Sequence, residues 1–198
     1  MNDSLTRIAD ALQNAGAPSS DFDLNSDVVL PKGRKLRPAA VLAAIMPAAN
    51  GAHQLLLTKR SSALKHHPGQ IAFPGGKQDD GDADLAATAL RESWEEVGLE
   101  PNNVEILGQL PTHETVTSFQ VTPFVALVQR PFEPKPEAGE VDEVFQVPLS
   151  HVLNTAHFSI QGRRWQGSRR HYYTVPFGPY YIWGATARML RTWADLMT

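Results

Sequence analysis

Three glutamates, Glu92, Glu95 and Glu96, stand within five residues of each other near the middle of this sequence. A glycine pair at positions 75 and 76 precedes them, and Gly98 follows them. Residues three and four apart share a helix face, so the three carboxylates are predicted to project together. The opposite side of this helix is predicted to face the core, through Ala86, Leu90, Ser93, Trp94 and Val97.

Carboxylates on one helical face repel each other, and a positive charge is expected to compensate them. Arg91 can reach Glu95 at the i, i+4 spacing, but one guanidinium cannot neutralise all three. A Mg²⁺ or Mn²⁺ ion can, because these cations prefer oxygen ligands and also bind substrate phosphates. A backbone carbonyl at Gly76 can add a further ligand. Such a site would suit phosphoanhydride hydrolysis, and the competing interpretation is a solvated acidic face.

The composition of the chain is that of an ordinary globular protein. It has 198 residues, 42% of them apolar, and a net charge of −3, which suits one domain and argues against nucleic acid as a partner. The absence of cysteine fits a reducing compartment. No segment reaches the roughly 20 apolar residues of a membrane span, and the first residues lack a secretion signal. We therefore expect a cytoplasmic protein without a membrane partner.

The spacing of apolar residues predicts where helices and strands form. A short helix is expected over residues 4–15, then an irregular connector that completes an N-terminal segment, 1–37, and a main domain over 38–198. The glutamate helix is expected over 83–97, with Gly98 as its left-handed C-cap. The predicted strands are residues 39–46, 54–59, 70–73, 104–110, 120–129 and 141–147.

Two more elements are predicted near the C-terminus. Residues 160–175 contain four arginines and several aromatic residues, and they indicate a hairpin that turns at Gly167. Ala187 and Leu190 begin a helical repeat after Gly184, which predicts a C-terminal helix. Because strands and helices do not alternate regularly, we expect a mixed α/β sandwich rather than a parallel sheet.

Residues 91–99, Arg-Glu-Ser-Trp-Glu-Glu-Val-Gly-Leu, resemble the second half of the Nudix box, G-x5-E-x7-R-E-U-x-E-E-x-G-U, in which U is apolar. Ser93 stands where an apolar residue is usual. Asp82 stands in for the first acid of the box, with one residue too many before Arg91. The resemblance implies a Nudix-type α/β/α sandwich with a mixed β-sheet. It also implies metal-dependent hydrolysis of a nucleoside diphosphate linked to another moiety, with Arg91 among the catalytic residues.

The same resemblance implies roles for individual acids. Glu92 and Glu96 would be the principal metal ligands, and Glu95 would share the metal cluster. In this family the base that activates water comes from the same helix or from a later loop. Glu140 and Glu143 follow a proline-rich loop, and we prefer Glu140 as the candidate for this base. The competing interpretation is that both are surface acids.

Residues 56–76 carry a more specific resemblance. They are similar to L-L-T-x-R-[S/A]-x3-R-x3-G-x3-F-P-G-G, the motif upstream of the Nudix box in coenzyme A pyrophosphatases, and depart from it only at Lys65, where that family has arginine. The resemblance implies cleavage of coenzyme A or its acyl derivatives into (acyl-)4′-phosphopantetheine and adenosine 3′,5′-bisphosphate. It implies substrate-binding roles for Arg60, Ser61, Lys65, Gly69 and Phe73.

Two other functions stay open at this point. One is a Nudix hydrolase for another nucleoside diphosphate derivative, such as a nucleotide sugar, ADP-ribose or a dinucleotide. The other is a non-catalytic Nudix-fold sensor that binds a nucleotide. The intact glutamates at 92, 95 and 96 argue against the sensor, because binding alone would not require all three. A homodimer is an open alternative to a monomer.

Overall fold

The computed structural model describes residues 3–13, 16–31, 33–48, 51–65, 67–165 and 167–198. Its helices are α1 (Asp3–Gln13), α2 (Leu85–Val97), α3 (Leu149–Val152) and α4 (Gly184–Leu196). Its strands are β1 (Ser19–Ser20), β2 (Arg37–Pro47), β3 (His53–Arg60), β4 (Ile71–Ala72), β5 (Gly75–Lys77), β6 (Val104–Gln109), β7 (His113–Glu114), β8 (Phe119–Val128), β9 (Val141–Pro148), β10 (Ser159–Trp165) and β11 (Ser168–Thr174).

The strand β2 lies in the middle of a mixed sheet. It runs parallel to β8, from Arg37 opposite Phe119 to Ile45 opposite Leu127, and antiparallel to both β3 and β5. The strand order is β1-β7-β8-β2-β3-β4, with β6 against β8 and β9 against β3. Parallel and antiparallel pairs in one sheet confirm the predicted mixed topology.

The sheet is covered on both faces. Ala43 and Ile45 of β2 belong to the core on one face, together with α1, α3 and α4, whereas Leu42 and Ala44 belong to the core beneath α2. A strand buried on both faces needs a continuous apolar run, which explains the composition of β2. Trp193 of α4 is completely buried. The result is the expected α/β/α sandwich.

The predictions for the C-terminal region are confirmed. β10 and β11 form an antiparallel ribbon in which Arg163 lies opposite Arg170 and Arg164 lies opposite Arg169. The turn contains Gly167 with φ 86°, a conformation that glycine adopts at little cost. The helix α4 follows and packs its apolar side on the core.

The N-terminal helix also contributes to this core. Leu5, Ile8 and Leu12 of α1 are buried, while its predicted end at residue 15 lies outside the described residues. The division of the chain between residues 37 and 38 stays a prediction. No helix in the described part of the chain is long and apolar enough to cross a membrane.

The helix α2 begins at Leu85 rather than at residue 83. Asp84 precedes it as the N-cap, and its carboxylate accepts a hydrogen bond of 2.8 Å from the backbone N–H of Ala87. Such a cap satisfies an N–H that has no partner within the helix. Gly98 ends the helix with φ 72°, as predicted.

The buried side of α2 differs from the prediction. Trp94 was expected in the core but is 57% exposed, whereas Glu96 is only 4% exposed. The side that packs on the sheet carries small residues, because Ala89 shares a core with Ala40 of β2. Ser93 is also completely buried, and its hydroxyl donates to the carbonyl of Ala89 at 2.7 Å. Because α2 packs closely on the sheet through small side chains, the indole of Trp94 is left exposed to solvent.

Candidate active site

Two glycines bring the strand β5 unusually close to its neighbours. At Gly75, φ is 152°, and a β-carbon there would stand 2.4 Å from the carbonyl oxygen of Ala40. At Gly76, a β-carbon would stand 2.5 Å from the carboxylate of Glu92. At Gly75 a β-carbon would meet backbone atoms, so only glycine fits there. At Gly76 it would meet the end of the Glu92 side chain, so a larger residue would displace that carboxylate. The close approach places backbone atoms directly against the glutamate helix.

Glu92 and Glu96 lie against this glycine loop. The backbone N–H of Gly75 donates to Oε2 of Glu96 over 3.3 Å, and Nη1 of Arg60 lies 3.9 Å from Oε1. These contacts do not offset the loss of water, and burial raises the pKa of Glu96 from 4.5 to about 7. Burial also raises the pKa of Glu92, although Arg91 opposes the shift. The site thus holds two carboxylates whose ionised forms are disfavoured.

Arg91 pairs with acids on the outer side of the same helix. Its Nε and Nη2 donate to the two oxygens of Asp82 at 2.8 and 2.9 Å. Its Nη1 donates to Glu92 and to Glu95, both at 2.9 Å. Hydrogen bonding to Arg91 holds the pKa of Asp82 well below its usual range. Glu95 is therefore held by Arg91, with 53% of its side chain exposed, and does not join the buried pair.

Residues 79–82 form a tight turn that ends at Asp82. This turn accommodates the extra residue that precedes Arg91 in the Nudix box. The N–H of Asp82 donates to the carbonyl of Asp79 at 3.0 Å, and the N–H of Asp79 donates to the carboxylate of Asp82 at 3.0 Å. The hydroxyl of Thr88 donates to the same carboxylate. Asp82 thus serves as the acidic partner of Arg91 despite the irregular spacing.

The proline-rich loop before β9 is joined to the end of α2. The N–H of Lys135 donates to the carbonyl of Val97, and the N–H of Glu137 donates to the carbonyl of Glu96, each at 2.9 Å. This attachment brings Glu140 near the buried pair. Besides burial, the charge of Glu140 contributes to the raised pKa of both Glu92 and Glu96.

The structure separates Glu140 from Glu143. The residue that follows Glu143, Val144, packs on the core beneath α2, while Phe145 packs on the opposite core. Side chains alternate along a strand, so Glu143 faces the side of Phe145, away from the glutamate helix. There it accepts a hydrogen bond from the hydroxyl of Tyr180.

The predicted substrate-binding residues lie on one stretch that runs from the last residue of β3 to the residue after β4. Arg60 lies at its start, beside Glu96, and Ser61 is buried next to it. Gly69 has φ 68° and donates from its N–H to the carbonyl of Arg60 at 3.0 Å. Lys65 is exposed on this loop. Phe73 is 3% exposed and packs in the core with α1 and α4, so its ring supports the glycine loop from inside.

The donor set at the glycine loop suits a hard divalent cation only in part. Within the described ranges, no three acidic or histidine side chains form a metal-binding cluster. Glu92 and Glu96 supply carboxylates, and the backbone of β5 lies close enough to supply a carbonyl. Two carboxylates with remaining water ligands are typical of Mg²⁺ sites. The residues present therefore fit Mg²⁺ or Mn²⁺, although fewer carboxylates converge than the sequence predicts.

Some side-chain contacts that hold β9 in place were not found from the sequence. Asp142 accepts a hydrogen bond from the N–H of Ser62 at 3.0 Å, and Tyr180 binds Glu143. Neither belongs to a motif, and their partners are distant in sequence. One sequence by itself offers no signal for such contacts.

Residues 36–166 match the family model described as the NUDIX domain. The chain belongs to the Nudix family and is a hydrolase of phosphoanhydride bonds in nucleoside diphosphate derivatives. Enzymes of this family generally use divalent metal ions.

Relatives extend this match beyond the domain. An uncharacterized Nudix hydrolase NudL of Citrobacter koseri is 37% identical over 184 residues, covering 91% of this chain and 95% of that protein. Its counterpart in Enterobacter sp. strain 638 is 42% identical over 137 residues, covering 69% and 71%. Among solved structures, a MutT/nudix family protein from Enterococcus faecalis has a TM-score of 0.50 at 15% identity, covering 84% of this chain and 64% of that chain. The last likeness supports the fold alone.

Proposed function

We propose that this Nudix hydrolase cleaves the diphosphate of coenzyme A or its acyl derivatives. One observation carries the proposal. Arg60, a fixed residue of the coenzyme A motif, lies 3.9 Å from Glu96 of the glutamate helix, measured from Nη1 to Oε1. The motif thus supplies a cation at the place where a diphosphate would meet the buried carboxylates.

The first part of the proposal concerns the residues that would hold the metal ion. Glu92, Glu96 and the carbonyl of Gly76 would hold Mg²⁺ or Mn²⁺, and Glu95 would have to leave Arg91 to join them. A cation bound there supplies charge neutralisation at phosphorus and lowers the pKa of a bound water.

Three further side chains act around these ligands in the proposal. Arg60 and Lys65 donate to phosphate oxygens of the substrate. Glu140 accepts the proton of the attacking water. That water adds to one phosphorus, the bridging P–O bond breaks, and the products are (acyl-)4′-phosphopantetheine and adenosine 3′,5′-bisphosphate.

The test is a substrate panel with identification of products. Purified protein with Mg²⁺ or Mn²⁺ is incubated separately with coenzyme A, acetyl-coenzyme A, ADP-ribose, a nucleotide sugar and a dinucleotide. The products are separated by chromatography and identified by mass spectrometry. Coenzyme A should give the two products above with the highest kcat/KM. Turnover of ADP-ribose without turnover of coenzyme A would overturn the substrate assignment.

A matched pair of substrates tests the cationic contacts. Dephospho-coenzyme A lacks only the 3′-phosphate of coenzyme A. Its KM should be higher than that of coenzyme A, because one phosphate that the cations could contact is missing. Lys65→Gln should raise the KM of coenzyme A by about tenfold, the effect of one lost charged hydrogen bond. An unchanged KM in this variant would show that Lys65 does not bind the substrate.

A further inference from the structure

A junction outside the catalytic motifs joins the loop between β3 and β4 to β9. In the register of the two strands, Lys59 pairs with Glu143 and Arg60 pairs with Val141, so Asp142 is the extra residue of a β-bulge. Bulges occur beside active sites, where they turn a side chain in a new direction. Here the carboxylate of Asp142 accepts the N–H of Ser62 at 3.0 Å.

The start of this loop, residues 61–64, is held entirely by hydrogen bonds. The N–H of Ser61 donates to the carbonyl of Glu140 at 2.8 Å, and the N–H of Leu64 donates to the carbonyl of Ser61 at 3.2 Å. The hydroxyl oxygen of Ser61 accepts the N–H of Ala63 at 3.3 Å. With Asp142 bound to Ser62, each N–H from 61 to 64 has a partner.

The same segment leads to the glutamate helix. Glu137, five residues before Asp142, donates from its N–H to the carbonyl of Glu96 at 2.9 Å. Glu140 lies between these two attachments and acts electrostatically on both Glu92 and Glu96. Residues 137–142 therefore connect the loop that begins at Ser61 with the buried carboxylates.

We propose that Asp142 is a positioning residue that fixes the loop after β3 for substrate binding. This inference rests on the proposed function, in which Arg60 and Lys65 on either side of Ser62 contact substrate phosphates. A carboxylate is a strong acceptor for a backbone N–H. Hydrogen bonding to the N–H of Ser62 holds the pKa of Asp142 below its usual range, so it stays charged at neutral pH.

Three variants separate positioning from general stability. Asp142→Ala removes the acceptor, and Asp142→Asn keeps one acceptor oxygen. Asp23→Ala is the comparison variant, because Asp23 also accepts a backbone N–H, that of Ser20 at 3.0 Å. Asp23 pairs with Arg188 of α4 at 2.8 Å as well, so its loss is expected to lower stability without changing KM. The Asp142→Ala variant should raise KM about tenfold, the effect of one lost hydrogen bond to a charged group, with kcat within twofold. The Asn variant should restore most of the loss, and the control should leave KM unchanged.

The outcomes distinguish this inference from the proposed substrate. Kinetics are measured with whichever nucleoside diphosphate derivative the wild type hydrolyses best, so failure of coenzyme A as substrate does not decide the test. Amide hydrogen exchange gives a readout without substrate, and Asp142→Ala should speed exchange at residues 61–64 alone. An unchanged KM, a loss confined to kcat, or the same kinetic change in Asp23→Ala would overturn the positioning role.

Discussion

The helix α2 presents carboxylates to two different environments. On its outer side, Arg91 donates hydrogen bonds of 2.8 to 2.9 Å to Glu95 of the same helix and to Asp82 of the turn that precedes it. On its inner side, Glu96 is buried, and the cation paired with it among the described residues is Arg60, 3.9 Å away. Glu92 belongs to both environments. Its carboxylate lies against Gly76, and one of its oxygens accepts a hydrogen bond from Arg91.

The difference separates a structural role from a chemical one. On the outer side, the shared guanidinium of Arg91 stabilises the acids and joins the helix to the turn before it. Glu96 on the inner side lowers stability instead, because an ionised carboxylate without a close cation destabilises the fold. Proteins retain such groups where function needs them. We therefore expect substitutions on the inner side to harm activity and those on the outer side to harm stability.

The largest expected effect is on turnover. Glu96→Gln should lower kcat by about a thousandfold, as removal of a charged group from a reacting centre does, whereas Glu95→Gln should cost less than about tenfold. Both are measured with saturating Mg²⁺ and substrate, and circular dichroism checks that each variant folds. Equal losses in the two variants would mean that the inner and outer carboxylates act as one cluster.

The second effect is on stability and follows from the pKa of Glu96, raised from 4.5 to about 7 by burial. Between these values the folded protein keeps a proton that the unfolded chain releases, so stability falls as pH rises from 4.5 to 7 and then levels. The loss is about 3 kcal/mol at most. Urea unfolding in EDTA at several pH values measures it.

Glu96→Gln is the control for this pH dependence, because it leaves every other titrating group in place. The variant should match the wild type near pH 4.5 and exceed its stability at pH 8. Parallel curves for the two proteins would show that Glu96 ionises normally.

A smaller effect is expected on the outer side. Arg91→Gln removes the shared donor of Asp82, Glu92 and Glu95, and should lower the free energy of unfolding by about 2 kcal/mol. Arg91→Lys keeps the charge but cannot donate to both oxygens of Asp82, so it should restore only part of the loss. Stability equal to that of the wild type in Arg91→Gln would refute the structural role of the outer group.

The sequence predicts the elements around this helix better than the direction of its side chains. Apolar runs identify the buried strands, and the motif at 91–99 identifies the helix and its cap. The helical wheel places Trp94 opposite the three glutamates, and the prediction assigns that side to the core. Packing instead depends on how closely the helix approaches the sheet. That distance is set by Gly76 and Ala89, and by partners that are remote in sequence.

The same limit applies to the loop acids. Glu140 and Glu143 are three residues apart in one acidic stretch, and the sequence alone gives them similar claims to a catalytic role. Only the alternation of side chains along β9 separates them, since it directs Glu143 to Tyr180 on the other face of the sheet. The apolar pattern predicts the strand from residue 141 onward, but it does not identify Tyr180 as the partner of Glu143.

The smallest expected effect tests this separation. Glu140→Gln should lower kcat by about tenfold, less than the roughly 10²–10⁴-fold typical of a general base, because a cation held by Glu92 and Glu96 would itself acidify the attacking water. The loss should shrink at high pH, where that water ionises without a base. Glu143→Gln keeps an acceptor for Tyr180 and should change kcat by less than about twofold. Steady-state rates across pH compare the two. A larger loss in Glu143→Gln would place the base on the face of Tyr180, and the glutamate helix would then hold the substrate without supplying the proton acceptor.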